Sequence, residues 1–149
     1  LNRQAEQQIQ KDRLVTPRGN NAYATYQEML TVAPDSQDTQ RLFKTILERL
    51  LAQARQQMEQ RHYTTPKNNN AANTYKQILK LAPENAEAQK GINEIVNKYY
   101  RLAIVRRGQR RYKGSMVWIK RGLQIAPNNP ELNQLKQEVR DKMSQLGIR

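Results

Sequence analysis

The sequence has no cysteine and a single histidine among its 149 residues. Without thiols there are no disulfides, no thiolate nucleophiles and no cysteine-ligated zinc, whatever the compartment. One imidazole, His62, leaves no second histidine to complete a metal shell. None of the serines that could act as nucleophiles, Ser36, Ser115 and Ser144, has a histidine placed to activate it. Thr16 and Thr65 precede prolines and read as loop residues, and His62 reads as a boundary residue at a helix end. Glycine is scarce as well, and the stretch GSMVWIKRG around Gly114 and Gly122 lacks the Gly-Lys-Ser/Thr ending of a phosphate loop. Apolar runs such as AIV at 103–105 are far shorter than the roughly 20 residues of a membrane-crossing helix. No segment alternates with period two for long enough to be a strand. These absences predict an all-α protein that is not an enzyme, carries no metal or cofactor, and has no transmembrane segment.

Acidic residues are also few, 13 against 26 Lys and Arg, so the formal net charge is +13. Only 37% of residues are hydrophobic and mean hydropathy is −0.97, which predicts a thin core and an elongated form. There is no initiator methionine and no basic-then-apolar leader, so the chain is expected to be a fragment of a larger protein.

What is present is repeated. Overlaying residues 1–34 on 50–83, a spacing of 49, gives 15 identities in 34 positions. They include Gln7-Gln8 with Gln56-Gln57, Thr16-Pro17 with Thr65-Pro66, Asn20-Asn21-Ala22 with Asn69-Asn70-Ala71, and Thr25-Tyr26 with Thr74-Tyr75. A fixed period of this length marks a repeat architecture. A third copy ends in LQIAP at Pro127, only 44 residues after Pro83. Because Ala103 keeps the 49 spacing from Ala54, the third copy lacks five residues between Ala103 and Pro127. The missing piece is the TTPKN segment, replaced by the basic turn QRRYKG.

Each copy reads as two helices. The short one starts at an asparagine cap, Asn21 or Asn70, and stops before Pro34, Pro83 or Pro127. The long one starts at Ser36, Asn85 or Asn129, the last followed by Pro130. Seven helices are expected in all, the long first helices covering 36–60 and 85–108. At the α-helical rise these are about 36 Å long against about 20 Å for their partners. The TTPKN segment is therefore expected to lead the chain back along an overhanging helix end, with Leu14, Val15 or Tyr63 touching it. Tyr26 and Tyr75 are expected to face inward alike.

The spacing Ala22-Tyr26-Met29-Pro34, Ala71-Tyr75-Ile78-Pro83 and Ser115-Ile119-Gly122-Pro127, with the passage APENAEAQKGINEI, resembles the tetratricopeptide repeat. That resemblance implies a right-handed solenoid of antiparallel helix pairs with lengthened first helices and a period of 44–49. The single repeat domain would span 1–149, with copies at about 1–34, 35–83 and 84–127 and a C-terminal capping helix at 129–146 ended by Gly147. It further implies a groove lined by first helices, at Asp38, Arg41, Thr45, Glu48 and Arg49 and at Glu87, Lys90, Glu94, Asn97 and Lys98. The phrases TTP, NAxxTYxxIL and APENAEAQ look like those of accessory repeat regions in large bacterial multidomain proteins. This implies an accessory domain, with a slight preference for the periplasmic side of the cell envelope over the cytoplasm.

Charge supplies a second candidate site. Between 98 and 121 there are nine basic residues and no acid. Eight of them, Arg101, Arg106, Arg107, Arg110, Arg111, Lys113, Lys120 and Arg121, form the candidate basic patch. The leading expectation is a non-catalytic protein-interaction scaffold that grips a peptide or partner protein in its groove, aided by the patch. The alternative is docking to an anionic polymer, a membrane surface or nucleic acid through residues 98–121. Nucleic acid is the less favoured of these, although Tyr99, Tyr100, Tyr112 and Trp118 interleave with the charges.

Overall fold

The computed structural model describes residues 1–149. It contains seven α-helices and no strand: α1 (Asn2–Gln10), α2 (Ala22–Val32), α3 (Gln37–Glu59), α4 (Ala71–Leu81), α5 (Ala86–Gly108), α6 (Tyr112–Ile125) and α7 (Pro130–Gln145). The helix starts follow local chemistry. Asn21, Asn70, Asn85 and Asn129 each accept a backbone N–H bond from three residues on, and Ser36 accepts one from Asp38. Pro130 sits where its missing N–H costs nothing. The chain forms two compact units, Leu1–Pro83 and Glu84–Arg149, divided at the proline that ends the second copy.

The first unit holds α1 to α4. Ala5, Ala22, Ile46, Leu50, Ala54 and Ile78 lie in its core, each at most 3% exposed. Two polar residues join them: Gln8 and Gln57 are only 4% and 3% exposed. Thr25 Oγ1 donates to Gln8 Oε1 at 2.7 Å, and Gln8 Nε2 donates to Asn20 Oδ1 at 3.2 Å. The second copy repeats this clasp, Thr74 Oγ1 to Gln57 Oε1 at 2.7 Å and Gln57 Nε2 to Asn69 Oδ1 at 2.8 Å. Each clasp ties the end of one helix to the loop that follows it and to the next helix. Gln57→Ala would leave the buried Thr74 hydroxyl without its Gln57 partner, and should cost about 1–3 kcal/mol. Gln57→Leu combined with Thr74→Val should recover part of that loss, as urea denaturation midpoints of the single and double variants would show.

The loops after α1 and α3 close beside the end of the helix they leave, and residues 14–16 of the first also border one cavity with Leu50, Gln53 and Gln57 of α3. The Ala71 N–H donates to His62 O at 2.7 Å and the Ala72 N–H to Tyr63 O at 3.0 Å. In the first copy Ala22 and Tyr23 make the same bonds to Arg13 and Leu14. The first N–H groups of α2 and α4, which have no partner inside their own helices, are thus satisfied beside the end of the preceding helix. The intervening residues form a closed excursion, with cis bonds at Thr16-Pro17 and Thr65-Pro66. Leu14 does pack inward, at 3% exposure, while Val15 and Tyr63 are half-buried.

The reversal itself comes from a left-handed residue just after each helix. Asp12, Arg61 and Arg110 have φ of 54°, 60° and 58°, and the N–H groups of Arg13, His62 and Arg111 reach back to Gln8, Gln57 and Arg106 carbonyls. This is the Schellman arrangement, normally served by glycine. In the third copy the bond equivalent to Ala71–His62 is Ser115 N–H to Arg111 O. Losing five residues shortens its span from nine positions to four, so a loop-closing bond becomes the first bond of α6. Arg61→Gly and Asp12→Gly should each stabilise the fold by about 0.5–1 kcal/mol through relief of the left-handed penalty. An unchanged or lowered urea midpoint would count against this account.

The second unit holds α5 to α7. Ile95, Tyr99 and Ala103 of α5, Ser115 and Ile119 of α6, and Leu132, Leu135 and Val139 of α7 are buried. The Ser115 hydroxyl donates to Ala103 O at 2.8 Å. A Cβ built on Gly122 would lie 2.6 Å from Leu132 Cδ1, so this glycine permits the close approach of α7 to α6.

The two equivalent tyrosines differ in burial. Tyr75 is 4% exposed, whereas Tyr26 is half-buried and stacks on Phe43 at 4.8 Å with an interplanar angle of 20°. Partial burial, and then the neighbouring Tyr23, push the Tyr26 hydroxyl above the ordinary tyrosine range.

Candidate partner groove and cationic faces

Helical spacing places Asp38, Arg41 and Thr45 on one row of α3. In the first unit this row faces α1, and the two helices enclose a groove of about 290 Å³. Ala5, Ile9 and Leu42 provide its apolar lining, and Asn2, Glu6, Asp38 and Arg41 its polar rim. Asn2 Nδ2 donates to Asp38 Oδ2 at 2.8 Å. Arg41 lies 3.7 Å from Asp38, but both side chains are more than half exposed, 72% and 51%, so the pair is weak and both groups remain available. Glu48 and Arg49 lie beyond the groove, and Glu48 faces Lys44 at 3.9 Å.

In the second unit Glu94, Asn97 and Lys98 line a hollow of about 360 Å³ on α5, together with Arg101 and Leu102. Glu87 and Lys90 lie outside that hollow, near the start of α5, where the Glu87 carboxylate complements the helix dipole.

The eight residues of the candidate basic patch do not share one surface. Arg101 is two positions from both Tyr99 and Ala103, the residues through which α5 meets α6, so it points about half a turn away from α6. Lys113 and Val117 sit two positions either side of the buried Ser115 and point away from α5. Lys120 and the half-exposed Val117 share that outer row. Arg110 and Arg111 occupy the turn between the helices. Three residues are already engaged: Arg107 pairs with Glu138 at 2.6 Å, Arg106 lays its side-chain methylenes beside Gly114, and Arg121 stands 4.8 Å over the Trp118 ring.

The aromatic residues are engaged too. Tyr99 and Tyr112 are buried, at 3% and 8% exposure, and Trp118 stacks on Tyr99 with centroids 5.7 Å apart. Bases of a single strand stack on free ring faces, and this surface offers few. No group of three or more His, Asp or Glu side chains converges as a metal site would, and no helix is long and apolar enough to cross a membrane.

Two features escaped the sequence reading. The clasps built on Gln8 and Gln57 were visible as identities between copies, and the joint repetition of Gln, Asn and Thr was the signal. The contribution of α1 to the groove, through Asn2, Ala5, Glu6 and Ile9, has no signal in the repeat pattern, which points to the long helices alone. Compared with protein families, characterised proteins and solved structures, the chain matches none.

Proposed function

We propose that the chain is a non-catalytic binding scaffold of the tetratricopeptide type, a right-handed solenoid of helix pairs in which α7 serves as the capping helix. Its occupant is an extended peptide segment of a partner protein, held in the groove between α1 and α3. The observation that carries this reading is the composition of that groove: an apolar floor of Ala5, Ile9 and Leu42 under a rim bearing both carboxylates and a guanidinium. Such a surface suits a peptide with an apolar anchor flanked by charges of both signs. The cationic faces of the second unit add long-range, salt-screened attraction to an acidic partner.

A displayed library of random peptides panned against the chain tests the proposal. Leu42→Asp and Arg41→Glu should each reduce recovery of the enriched family at least tenfold, at low and high salt alike. Reversing Arg110, Arg111, Lys113 and Lys120 to glutamate should weaken capture only at low salt. Peptides that ignore the groove variants and depend on the second-unit cations would move the function to anionic docking.

A further inference from the structure

The first unit contains a second concavity, unlike the groove in character. It measures about 360 Å³ and lies between residues 12–16 and the α3–α4 hairpin, at the lower end of the size range of small-molecule sites. Its accessible lining is mostly polar, with Leu14 and Leu50 packed beneath it at 3% and 1% exposure. Its back wall is held rigid, since the lining residues Gln57, Asn70 and Thr74 are engaged in the second clasp and in the cap of α4.

Around this frame stand carboxamides that no protein group engages, Gln53 and Asn68 exposed to solvent and Gln77 half-buried. Gln53, Asn68 and Gln77 line the cavity, and their side chains make no hydrogen bond within the protein. Asn73 Nδ2 is engaged by Lys67 O at 2.8 Å, which directs its amide at the same rim. The repeat does not require these groups. At the equivalent positions of the first copy stand Gly19, Ala24 and Glu28 in place of Asn68, Asn73 and Gln77. The second copy thus carries carboxamides at three of the lining positions where the first copy has none, while its capping and clasp residues are unchanged.

We infer that this cavity is a binding site for a neutral carbohydrate, a mono- or disaccharide unit. A carboxamide both donates and accepts, and so does a hydroxyl, so a ring bearing hydroxyls on all sides can pair with every unpartnered amide at once. Asp12 and Lys67 are the only charged groups in the lining and cancel formally, so the lining itself presents no net charge to a phosphate or carboxylate. No aromatic residue lines the site, so a planar base has nothing to stack on.

The test is a titration of the ¹⁵N-labelled full chain with glucose, N-acetylglucosamine, maltose and chitobiose, following the side-chain NH₂ signals of Gln53, Asn68 and Gln77. At least one sugar should shift these signals with a Kd of about 1 mM or tighter. Gln53→Ala with Gln77→Ala should weaken that binding at least tenfold and leave backbone signals elsewhere unmoved, since neither side chain is bonded to the protein. Triglycine serves as the competing probe. Shifts with triglycine but with none of the sugars would assign the cavity to a peptide backbone and overturn the inference, as would the absence of any shift with the four sugars. Neither result bears on the α1–α3 groove, whose peptides are read separately.

Discussion

Tyr75→Ala is expected to destabilise the first unit by about 3–5 kcal/mol. The ring is 4% exposed and shares the core with Ile78 and Ala71 of its own helix. Truncation removes its buried area and leaves a void that close-packed neighbours fill only in part. For a chain of this size the thermal midpoint should fall by on the order of 10 °C. Tyr75→Phe, which keeps the ring, should retain most of the stability. Hydrogen exchange would locate the effect: amides of α3 and α4 should lose protection while those of α6 and α7 do not. The sequence-equivalent Tyr26→Ala should cost clearly less, because its ring is only half-buried and keeps one face on Phe43. Equal losses at the two sites would contradict the difference in burial.

Gly122→Ala tests the packing of α6 on α7, and here the sign of the effect decides. In an isolated helix alanine is better than glycine by about 1 kcal/mol, so a loosely packed site would be stabilised. The added Cβ would instead meet Leu132 Cδ1 at 2.6 Å, and Leu132 is 0% exposed, so its methyl must shift within a closed core. Overpacking of this kind costs about 1–3 kcal/mol. A net loss of about 1–2 kcal/mol is therefore expected, read from the urea midpoint. Leu132→Ala in the same chain should make the alanine at 122 neutral or favourable, a coupling that a double-variant cycle isolates. Stabilisation by Gly122→Ala alone would mean that α7 stands farther from α6.

The helices themselves were legible because their determinants are local. A cap reads the next three residues, a proline acts on the residue before it, and apolar spacing repeats within two turns. That is why Asn21, Ser36, Asn70, Asn85 and Asn129 mark the helix starts so closely, and why the missing five residues could be assigned to the third connection. Part of the groove was legible for the same reason, since Asp38, Arg41 and Thr45 follow from helical phase once α3 is placed.

What the linear order alone established is therefore the all-α class, the seven helices, the repeat and the excess of positive charge. The tertiary structure decided the rest, because each remaining feature depends on which distant residues meet. Closure of the loops rests on bonds such as Ala71 to His62, and the buried role of Gln57 rests on Thr74, 17 positions away. Gly122 is constrained by Leu132, on another helix. The run of basic residues, continuous in sequence, is dispersed because α5 and α6 face one another and carry their outer charges in different directions. The carboxamide cavity draws on residues from 12 to 77, a span over which no local periodicity carries information.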